Sequence, residues 1–529
     1  MQRPFPWEAL YPPGVDGGLA VPVSTLPEML ACSVARFGDL PAMRFLATRW
    51  SFAEFSRQVD RLAAGLIAEG LRPGERVALH LPNTLTHPLS YFAVLRAGGI
   101  VTHLTPLDPL RTLQRKIDDV GARFLIAIDT SSLRGISESL AVERRFITRE
   151  AAWQDGGDLG LPDADPLSAW PLSTPEDVAL LQFTGGTTGH PKAAMLSHAN
   201  LTAATEIYVR WNAANGRPVT PDDRVLCILP LFHIFALTSV LLRAVACGAE
   251  VLIHARFDAE SVLDTVERDR ITLISGVPTM WTALSRSPTI DKRDLSSLRG
   301  IFSGGAPLPV DIAERIETLT GYRLGGGWGM TETSPVGTNL IIGSKPVPGG
   351  IGVPLPGIEI RIVDPADPTR ELPQGEVGEM AIRGPNVTRG YWNRPEDNAR
   401  AFADGYLLTG DLGQMQPDGT LVLVDRKKDM ILSGGFNVYP RVIEEAVCEH
   451  PDVVEAAVIG VDDPYRGQAA KVFVALKPAA PTLTLDDLRV FLADKLGRHE
   501  MPAQLEIRDA LPKTPVGKLS RQELRAESS

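Results

Sequence analysis

Apolar positions follow helical spacing and strand spacing in turn through most of the chain. Ser51 and Glu54 have the spacing of a capping box, and apolar residues then recur at helical spacing over 59–67, which predicts a helix. Short apolar runs predict strands at 76–81, 100–102, 124–128, 178–183, 251–253 and 271–274. Strands separated by helices of this length predict parallel sheets covered by helices.

After Ser344 the pattern changes to shorter apolar runs separated by turn residues, which predicts a smaller, β-rich subdomain. The last hundred residues combine the apolar runs 453–461 and 472–476 with a helical pattern, and this predicts an α+β unit. We therefore expect an α/β fold in two parts. A large body of parallel or mixed sheets with helices, including the β-rich subdomain, covers 1–427, and a small α+β lobe covers 428–529.

Composition narrows the classes of function. The 529 residues include 53 basic and 64 acidic side chains, a formal net charge of −11. A general nucleic-acid binder needs a dense basic surface, so we expect no nucleic-acid partner. The four cysteines form no C-x-x-C pair, which favours a reducing cytoplasm over disulfides or a zinc site. The apolar segment 226–242 is marginal in length for a membrane span and contains Pro230 and His233, so we expect it to be buried core.

The strongest chemical signal is a loop rich in glycine and threonine directly after the predicted strand 178–183. It reads Thr184-Gly185-Gly186-Thr187-Thr188-Gly189-His190-Pro191-Lys192. Glycines let backbone N–H groups converge on an anion, and the threonine hydroxyls and the lysine ammonium add donors and positive charge. The loop differs from the P-loop of NTPases, which has its lysine directly after the last glycine. The pattern is typical of a phosphate-binding loop, and a glycine-rich hairpin without a ligand is the alternative.

Four further segments carry polar and glycine residues of the same kind. They are Trp328-Gly329-Met330-Thr331-Glu332-Thr333, Leu408-Thr409-Gly410-Asp411, Asp425-Arg426-Lys427-Lys428-Asp429 and Pro512-Lys513-Thr514-Pro515-Val516-Gly517-Lys518. Together with the loop, they resemble in order and spacing the signature blocks of the adenylate-forming superfamily of acyl-CoA synthetases, adenylation domains and luciferases. The resemblance spans nearly the whole chain. Within the superfamily the chain resembles bacterial medium- and long-chain fatty-acyl-CoA synthetases, the AMP-dependent synthetases/ligases.

This resemblance implies a binding site for ATP and Mg²⁺. Residues 184–188 would wrap the β- and γ-phosphates, Glu332 would place Mg²⁺, and Lys518 would stabilise attack of the carboxylate on the α-phosphorus. Asp411 would accept hydrogen bonds from the ribose hydroxyls. The residues implied to contact ATP or AMP are Thr184, Gly185, Gly186, Thr187, Thr188, Gly189, Lys192, Gly304, Gly305, Ala306, Pro307, Trp328, Gly329, Met330, Thr331, Asp411, Arg426 and Lys518.

The same resemblance implies a passage for the acyl group and for coenzyme A. His233 corresponds to the family's gating histidine, and with Lys518, Glu332 and Thr184 it completes the implied catalytic set. The passage residues are His233, Phe235, Leu237, Gly327, Ser433, Gly434 and Gly435. Lys428 corresponds to the family's hinge residue, about which the small lobe would turn before the CoA thiolate attacks the acyl-adenylate and AMP leaves.

The expected function is therefore ATP-dependent activation of a medium- or long-chain fatty acid to acyl-AMP and then to acyl-CoA, with release of pyrophosphate and AMP. The apolar side chains of Ile234, Phe235 and Leu237 suit an alkyl chain. The run 325–327 of three glycines leaves a dicarboxylic or aryl-alkanoic acid as an alternative. The expected partners are the acid, ATP and free CoA, and the expected location is cytoplasmic. The sequence leaves open a homodimer and peripheral association with a membrane.

Two other classes of function compete with this expectation. A non-catalytic protein that binds a nucleotide or an acyl group predicts loss of Lys518, Glu332 or Asp411, and all three residues are present. A luciferase-like oxidase would form the same adenylate and react it with oxygen, and an oxygen-dependent light assay separates it from a ligase.

Overall fold

Helices and strands alternate along the chain in the computed structural model. The residues described are 5–15, 17, 21–130, 133–149, 153, 159–184, 191–306, 308–341, 347, 349–433, 436–478, 480–514 and 519–528. The chain divides into two units. The first unit contains Met1–Lys345, Ile351–Glu359 and Ile382–Leu407, and the second contains Pro346–Gly350, Ile360–Ala381 and Leu408–Ser529. The domain boundary expected at Lys428 stays a prediction.

The described helices differ widely in length. In chain order they are α1 Leu26–Phe37, α2 Phe52–Ala68, α3 Thr86–Arg96, α4 Leu110–Val120, α5 Arg134–Ser139, α6 His198–Ala214, α7 Ile234–Ala236, α8 Arg243–Cys247, α9 Ala259–Asp269, α10 Pro278–Ser285, α11 Val310–Thr320, α12 Pro395–Ala401, α13 Pro440–Cys448, α14 Leu485–Leu492 and α15 Arg521–Ser528. Three 3₁₀ turns cover Pro6–Leu10, Ile290–Lys292 and Thr331–Thr333, and a π-helical segment covers Leu237–Leu242.

The described strands are mostly short. They are β1 Pro41–Phe45, β2 Thr48–Ser51, β3 Arg76–His80, β4 Ile100–His103, β5 Phe124–Asp129, β6 Arg144–Arg149, β7 Val178–Thr184, β8 Lys192–Ser197, β9 Arg224–Cys227, β10 Glu250–Ile253, β11 Leu273–Gly276, β12 Gly300–Ser303, β13 Gly325–Gly326, β14 Thr338–Asn339, β15 Gly350–Pro354, β16 Glu359–Val363, β17 Val377–Arg383, β18 Phe402–Ala403, β19 Tyr406–Met415, β20 Leu421–Arg426, β21 Ile431–Ser433, β22 Phe436–Val438, β23 Val453–Asp463, β24 Gly467–Leu476 and β25 Gln504–Ile507.

The capping box predicted at Ser51 is confirmed at the start of α2. The backbone N–H of Glu54 donates to Oγ of Ser51 at 3.2 Å, and the backbone N–H of Ser51 donates to Oε2 of Glu54 at 2.8 Å. Two N–H groups that the helix cannot pair internally are thereby satisfied. Reciprocal caps of the same kind begin α1, α6 and α14, so local sequence sets where these helices start.

Two sheets form the framework of the first unit, and helices connect most of their strands. Sheet A has the strand order β13-β12-β11-β9-β10-β1-β2, and sheet B has the order β6-β5-β3-β4-β7-β8. The prediction of parallel sheets is confirmed for most neighbours, but the pairs β1–β2 and β7–β8 are antiparallel. Their connections are too short for a crossover, and only antiparallel strands can be joined by so short a loop.

The apolar segment 226–242 is buried in the core of the first unit. Every residue of the π-helical segment Leu237–Leu242 is buried, and the strand β9 before it lies inside sheet A. The prediction of buried core is confirmed. Across the described part of the chain, no helix is long and apolar enough to cross a membrane.

In its described residues, the second unit contains mainly antiparallel strand pairs and the three helices α13, α14 and α15. Strands lie in the order β20-β19-β17-β16 in one sheet and β22-β21-β24-β23 in another, where β25 pairs with β24 in parallel. An apolar cluster packs α13 and α14 on the second of these sheets, with Ile443, Leu488 and Val472 at its centre. The prediction of an α+β pattern in the last hundred residues is confirmed.

An ionic network ties the last helix of the second unit to the end of β20. The guanidinium of Arg521 lies 2.5 Å from Glu444 and 3.1 Å from both Asp425 and Asp429. Burial works against the charge on Arg521, but its acidic neighbours, Glu444 foremost, outweigh that effect and raise the pKa of Arg521. Arg525 adds a second contact to Asp429 at 2.8 Å. Charges buried in this way are tolerated because each has partners.

Lowering the pH should destabilise the first unit through His198, which begins α6. Its Nδ1 accepts a hydrogen bond from the backbone N–H of Leu26 at 3.2 Å, and burial lowers its pKa from 6.5 to about 4. The unfolded chain binds this proton more readily, so stability is full above about pH 6.5 and falls as the pH decreases towards 4. The expected loss is about 2 kcal/mol at pH 5.

The difference between the natural protein and His198→Asn, in thermal or urea unfolding between pH 8 and pH 5, measures this loss, because other buried histidines titrate in both proteins. His198→Asn keeps an acceptor for Leu26 and removes the titration, so its stability should depend less steeply on pH. Equal slopes for the variant and the natural protein would contradict the assignment to His198.

Candidate functional site

The two ends of the predicted phosphate loop lie side by side in the first unit. Thr184 is the last residue of β7 and pairs directly with Lys192, the first residue of β8. Of the residues between them, 185–190 fall outside the described residues, so the predicted roles of Gly185, Gly186, Thr187, Thr188 and Gly189 stay predictions. The antiparallel pairing of β7 and β8 fixes where the loop leaves the sheet and where it returns.

Lys192 is held by an acidic partner at the base of this hairpin. Its Nζ lies 2.6 Å from Oδ1 of Asp397 and 5.5 Å from the centre of the Tyr391 ring. The ammonium is largely buried, where an ion pair and an aromatic face stabilise a charge more than they do in water. The positive charge predicted near the loop is therefore present, and it is paired with Asp397.

Glu332 lies in the 3₁₀ turn Thr331–Thr333 and is 5% exposed. Its Oε1 accepts a hydrogen bond from the hydroxyl of Tyr391 at 2.9 Å. Its backbone carbonyl accepts from the N–H of Thr388 at 2.7 Å, and the side-chain amide of Asn386 donates to the carbonyl of Thr333 at 2.6 Å. Glu332, the predicted magnesium ligand, is thus held through its carboxylate by Tyr391, and the backbone of its turn is held by Thr388 and Asn386.

Tyr391, which donates to Glu332, lies in a segment that runs beside β8. Tyr391 bridges to Ala194 of β8 in antiparallel fashion, and the N–H of Met195 donates to the carbonyl of Gly390 at 2.9 Å. Tyr391 therefore touches both β8 and Glu332. Strand β8 and the turn Thr331–Thr333, which are far apart in sequence, are thus brought together by this third segment.

The predicted acyl and adenine segments also meet in the first unit. A Cβ added to Gly304 would lie 2.8 Å from Cζ of Phe235, so the ring of Phe235 packs on the backbone of Gly304. Gly305 and Ala306 follow and are exposed. His233 caps the start of the short helix α7, and its Nδ1 accepts from the N–H of Phe235 at 3.4 Å. Leu237 is fully buried, so its contact is with the core of the unit.

Trp328 packs on a glycine within its own unit. A Cβ added to Gly337 would lie 2.6 Å from the Trp328 ring, and the backbone of Trp328 is bonded to Thr338 in both directions, at 3.1 and 2.9 Å. The side chain is 9% exposed. Gly327 and Gly329 on either side are exposed, and a side chain at either position would collide with backbone. Met330 follows and accepts the hydroxyl of Thr333 at its carbonyl, 3.0 Å away.

The predicted ribose residues face one another in the second unit. Asp411 of β19 pairs in register with Arg426 of β20, and Oδ1 of Asp411 lies 2.5 Å from Nε of Arg426. Burial lowers the pKa of Lys428, Asp429 offsets part of this effect, and the cations of Arg426, Arg525 and Arg521 add to it. The net effect is that the pKa of Lys428 is lowered, so its ammonium loses its proton more readily than that of an exposed lysine.

The contacts described above do not include several of the predicted site residues. Pro307, Gly434, Gly435 and the predicted catalytic Lys518 lie outside the described residues. Ser433 is described, and it is buried at the end of β21, where it pairs with Phe436. The predicted roles of these residues stay predictions.

Sequence reasoning missed the residues that hold the site in place. Tyr391, Asp397 and Asn386 were not singled out, although Gly390 before two aromatic residues marks an unusual segment. Gln182 was overlooked too, and its signal was a polar residue within the apolar strand β7. Asn83 was missed as well: it follows Pro82 just after β3, and it is buried and bonded to a distant loop.

Comparison with known proteins gives a consistent answer. The family model for AMP-binding enzymes matches residues 30–392, and the model for the AMP-binding enzyme C-terminal domain matches residues 442–518. The long-chain-fatty-acid–CoA ligase of Bacillus subtilis (strain 168) is 36% identical, with 100% of this chain and 99% of the relative covered. A feruloyl-CoA synthase from Amycolatopsis sp is 38% identical, with 92% and 95% covered.

Solved structures share the fold. The crystal structure of ATP-bound MatB from Rhodopseudomonas palustris aligns with a TM-score of 0.84 at 30% identity, covering 95% of this chain and 98% of that one. The O-succinylbenzoate coenzyme A synthetase MenE of Bacillus subtilis, in complex with ATP and a magnesium ion, aligns with a TM-score of 0.82 at 29% identity, covering 94% and 99%. The expected α/β architecture is confirmed.

Replacing Tyr391 with Phe should weaken binding of Mg·ATP. The variant removes the hydroxyl that donates to Glu332, so the carboxylate predicted to hold the metal loses one of its supports. Loss of one such hydrogen bond should raise the dissociation constant of Mg·ATP about three- to ten-fold in titration calorimetry.

The matched control is Tyr406→Phe, because the hydroxyl of Tyr406 donates to Oε2 of Glu359 at 2.6 Å in the same unit. That variant should bind Mg·ATP as the natural protein does. Equal weakening in both variants would show that the Tyr391 effect is not specific to Glu332.

Proposed function

The chain belongs to the AMP-binding enzyme family, and we propose that it activates a medium- or long-chain fatty acid as the acyl-adenylate and transfers the acyl group to coenzyme A. It is an AMP-forming acid–CoA ligase, with a carboxylic acid, ATP and CoA as its small-molecule substrates. The observation that carries the choice of acid is the end-to-end similarity to a long-chain-fatty-acid–CoA ligase, at 36% identity over all of this chain.

In the first half-reaction, an oxygen of the carboxylate attacks the α-phosphorus of ATP and pyrophosphate leaves. Both reactants are anions, so fixed positive charge and hydrogen-bond donors must offset their repulsion. We assign the phosphates to the loop that begins at Thr184. Lys192 contributes a charge held in place by Asp397 at the base of this loop. The position of Thr184 opposite Lys192 supports this assignment.

Glu332 is suited to Mg²⁺ that arrives with ATP. Mg²⁺ in such sites is held by one or two carboxylates together with substrate phosphates and water. In the described part of the chain, no group of three His, Cys, Asp or Glu side chains is placed to hold a metal ion by itself. The bonded, buried carboxylate of Glu332 beside the hairpin fits a single-carboxylate arrangement. A bound Mg²⁺ would neutralise charge on the phosphates.

The remaining roles follow from the sequence blocks. We assign the ribose hydroxyls to Asp411 and Arg426, the hinge to Lys428 and the contact to the attacking carboxylate to Lys518. In the second half-reaction the CoA thiolate attacks the acyl carbonyl, the bond to the phosphate oxygen breaks, and AMP leaves. Ser433, Gly434 and Gly435 are assigned to the pantetheine passage and His233 to its gate.

Product analysis tests the reaction and the substrate together. The protein is incubated with ATP, Mg²⁺, CoA and a panel of acids, and acyl-AMP and acyl-CoA are detected by mass spectrometry. We expect acyl-CoA from medium- and long-chain fatty acids. Acyl-AMP without thioester would point to a different acceptor, and neither product from any acid would overturn the proposal.

Lys518→Ala should abolish acyl-AMP formation while leaving the fold intact. A lysine that neutralises charge in the transition state is expected to contribute about a hundred-fold or more to the rate. The matched control is Lys513→Ala, because Nζ of Lys513 in the same segment is held by Glu455 at 2.6 Å. Loss of activity in both variants, or in neither, would contradict the role assigned to Lys518.

An aryl acid is the second candidate, because a feruloyl-CoA synthase is 38% identical over 92% of this chain. Hydroxycinnamic acids therefore belong in the panel. A pocket discriminates acids that differ by one methylene by about 1–3 kcal/mol, so ratios of kcat/KM across the panel, and not single activities, decide between the two classes. A preference for aryl over alkyl acids would replace the fatty acid in the proposal.

Location and assembly also stay predictions. A cytoplasmic location, a homodimer and peripheral membrane association are each compatible with an enzyme that handles a lipid acid. Fractionation and size-exclusion chromatography with light scattering test them directly.

A further inference from the structure

The segment between β9 and α7 carries His233 but has little backbone pairing of its own. It runs from Ile228 to His233, and Pro230 within it has no N–H to donate. The N–H of His233 donates to the carbonyl of Pro230 at 3.0 Å. Ile228, Leu229 and Leu231 are buried, so their polar backbone groups need partners other than water.

Asn83 supplies two of these partners. Its Nδ2 donates to the carbonyl of Leu229 at 2.8 Å, and its Oδ1 accepts from the N–H of Leu231 at 2.8 Å. The side chain is 4% exposed. One amide thus holds the residues on both sides of Pro230, as a neighbouring strand would do.

Gln182 supplies the third partner. Its Nε2 donates to the carbonyl of Phe232 at 3.0 Å, directly before His233. Since a carbonyl can only accept, this bond fixes which end of the amide faces Phe232. The Oε1 of Gln182 therefore faces Nδ1 of His103, 3.0 Å away, and that nitrogen must carry a proton.

The chain of bonds continues into the interior of the first unit. Nε2 of His103 lies 3.1 Å from Nε2 of His87, and Tyr91 packs on the His103 ring with 5.8 Å between ring centres. Burial lowers the pKa of His103 to about 4, and burial together with the nearby His103 places the pKa of His87 far below its usual range. With both rings neutral, His87 donates to His103, which donates to Gln182, which donates to Phe232.

His103, Gln182 and Asn83 lie at or near the carboxyl ends of strands of sheet B, and His87 lies in α3. His103 is the last residue of β4 and pairs beside Leu79 of β3 and next to Gln182 of β7, while Asn83 follows β3. The carboxyl ends of parallel strands meet at one edge, which is where open α/β sheets present their functional groups. The loop after β9 of sheet A is thereby held by side chains of sheet B.

We propose that Asn83 and Gln182 are positioning residues that fix His233 and Phe235 relative to the phosphate-loop strand. The expected change in KM rests on the proposed function. The expected change in hydrogen exchange does not depend on that function. Gln182 lies two residues before Thr184 on β7, and Phe235 packs on Gly304. Gln182 therefore ties the residue before His233 to the strand that ends at Thr184, and Asn83 ties the same segment to the end of β3.

The structural arm of the test uses hydrogen exchange followed by mass spectrometry. Asn83→Leu and Gln182→Met remove the amides at similar volume. Asn83→Leu should speed exchange about three- to ten-fold in peptides that contain Leu231, whose N–H loses its acceptor. The matched control is Asn212→Leu, since Asn212 is equally buried but its Nδ2 donates to the carbonyl of Tyr208 at 2.8 Å within α6. The control should leave peptides over 228–237 unchanged.

The kinetic arm separates KM for the acid from KM for ATP. Both variants should raise KM for the acid about three- to ten-fold and leave KM for ATP within about two-fold, because the gate and acyl wall shift while the hairpin does not. Asn212→Leu should lower thermal stability without this split. Parallel changes in both KM values, or the same split in the control, would overturn the positioning role.

Gln182→Glu adds a pH readout that a general loss of stability does not produce. An ionised carboxylate cannot donate to Phe232, whereas the protonated acid can, and burial raises the pKa of such a group. His103 is the titratable side chain that faces this position, with His87 and Tyr91 behind it. KM for the acid should therefore recover as the pH falls from about 8 to 6 in this variant. A flat profile, or unchanged exchange at Leu231 in Asn83→Leu, would overturn the inference. If the natural protein forms no acyl-CoA, the proposed function is overturned. The hydrogen-exchange result would still test whether Asn83 holds the segment before His233.

Discussion

The position of β7 between β4 and β8 determines where the main candidate site residues of the first unit lie. The parallel pair places Gln182 next to His103 at the edge of sheet B, and the antiparallel pair places Lys192 opposite Thr184. Strand β7 thereby places Thr184 opposite Lys192, where the predicted phosphate loop begins and ends, and it carries Gln182, which bonds to the segment before His233. Tyr391 bridges to Ala194 of β8, and its hydroxyl donates to Glu332. The pairing of β7 with β8 therefore also positions Glu332, through Tyr391.

Local signals in the sequence predicted much of this structure. The capping box at Ser51 predicted the start of α2, and short apolar runs predicted β3, β5 and β7, because these features depend on residues close together in the chain. The signature blocks likewise pointed to Glu332, Asp411 and Arg426, since each is recognised by its immediate neighbours. The structure then placed Asp411 and Arg426 in contact.

The supporting residues could not be read in this way. Tyr391 lies 59 residues from Glu332, Gln182 lies 50 residues from Phe232, and Asn83 lies 148 residues from Leu231. Each contact depends on which strands become neighbours, and a single sequence does not contain that information. A buried amide in an apolar strand, such as Gln182, signals that some distant partner exists, because an unpaired polar group in the core is strongly unfavourable. It does not say which one.

The contact between Gly304 and Phe235 has a consequence for how the substrate range of such a protein changes under mutation. A methyl group on residue 304 would overlap the ring of Phe235, so the two positions are epistatic. A side chain at 304 requires the ring of Phe235 to move, whereas a smaller side chain at 235 meets no such obstacle from Gly304. Substitutions at this pair are therefore expected to combine most readily when the aromatic position changes first.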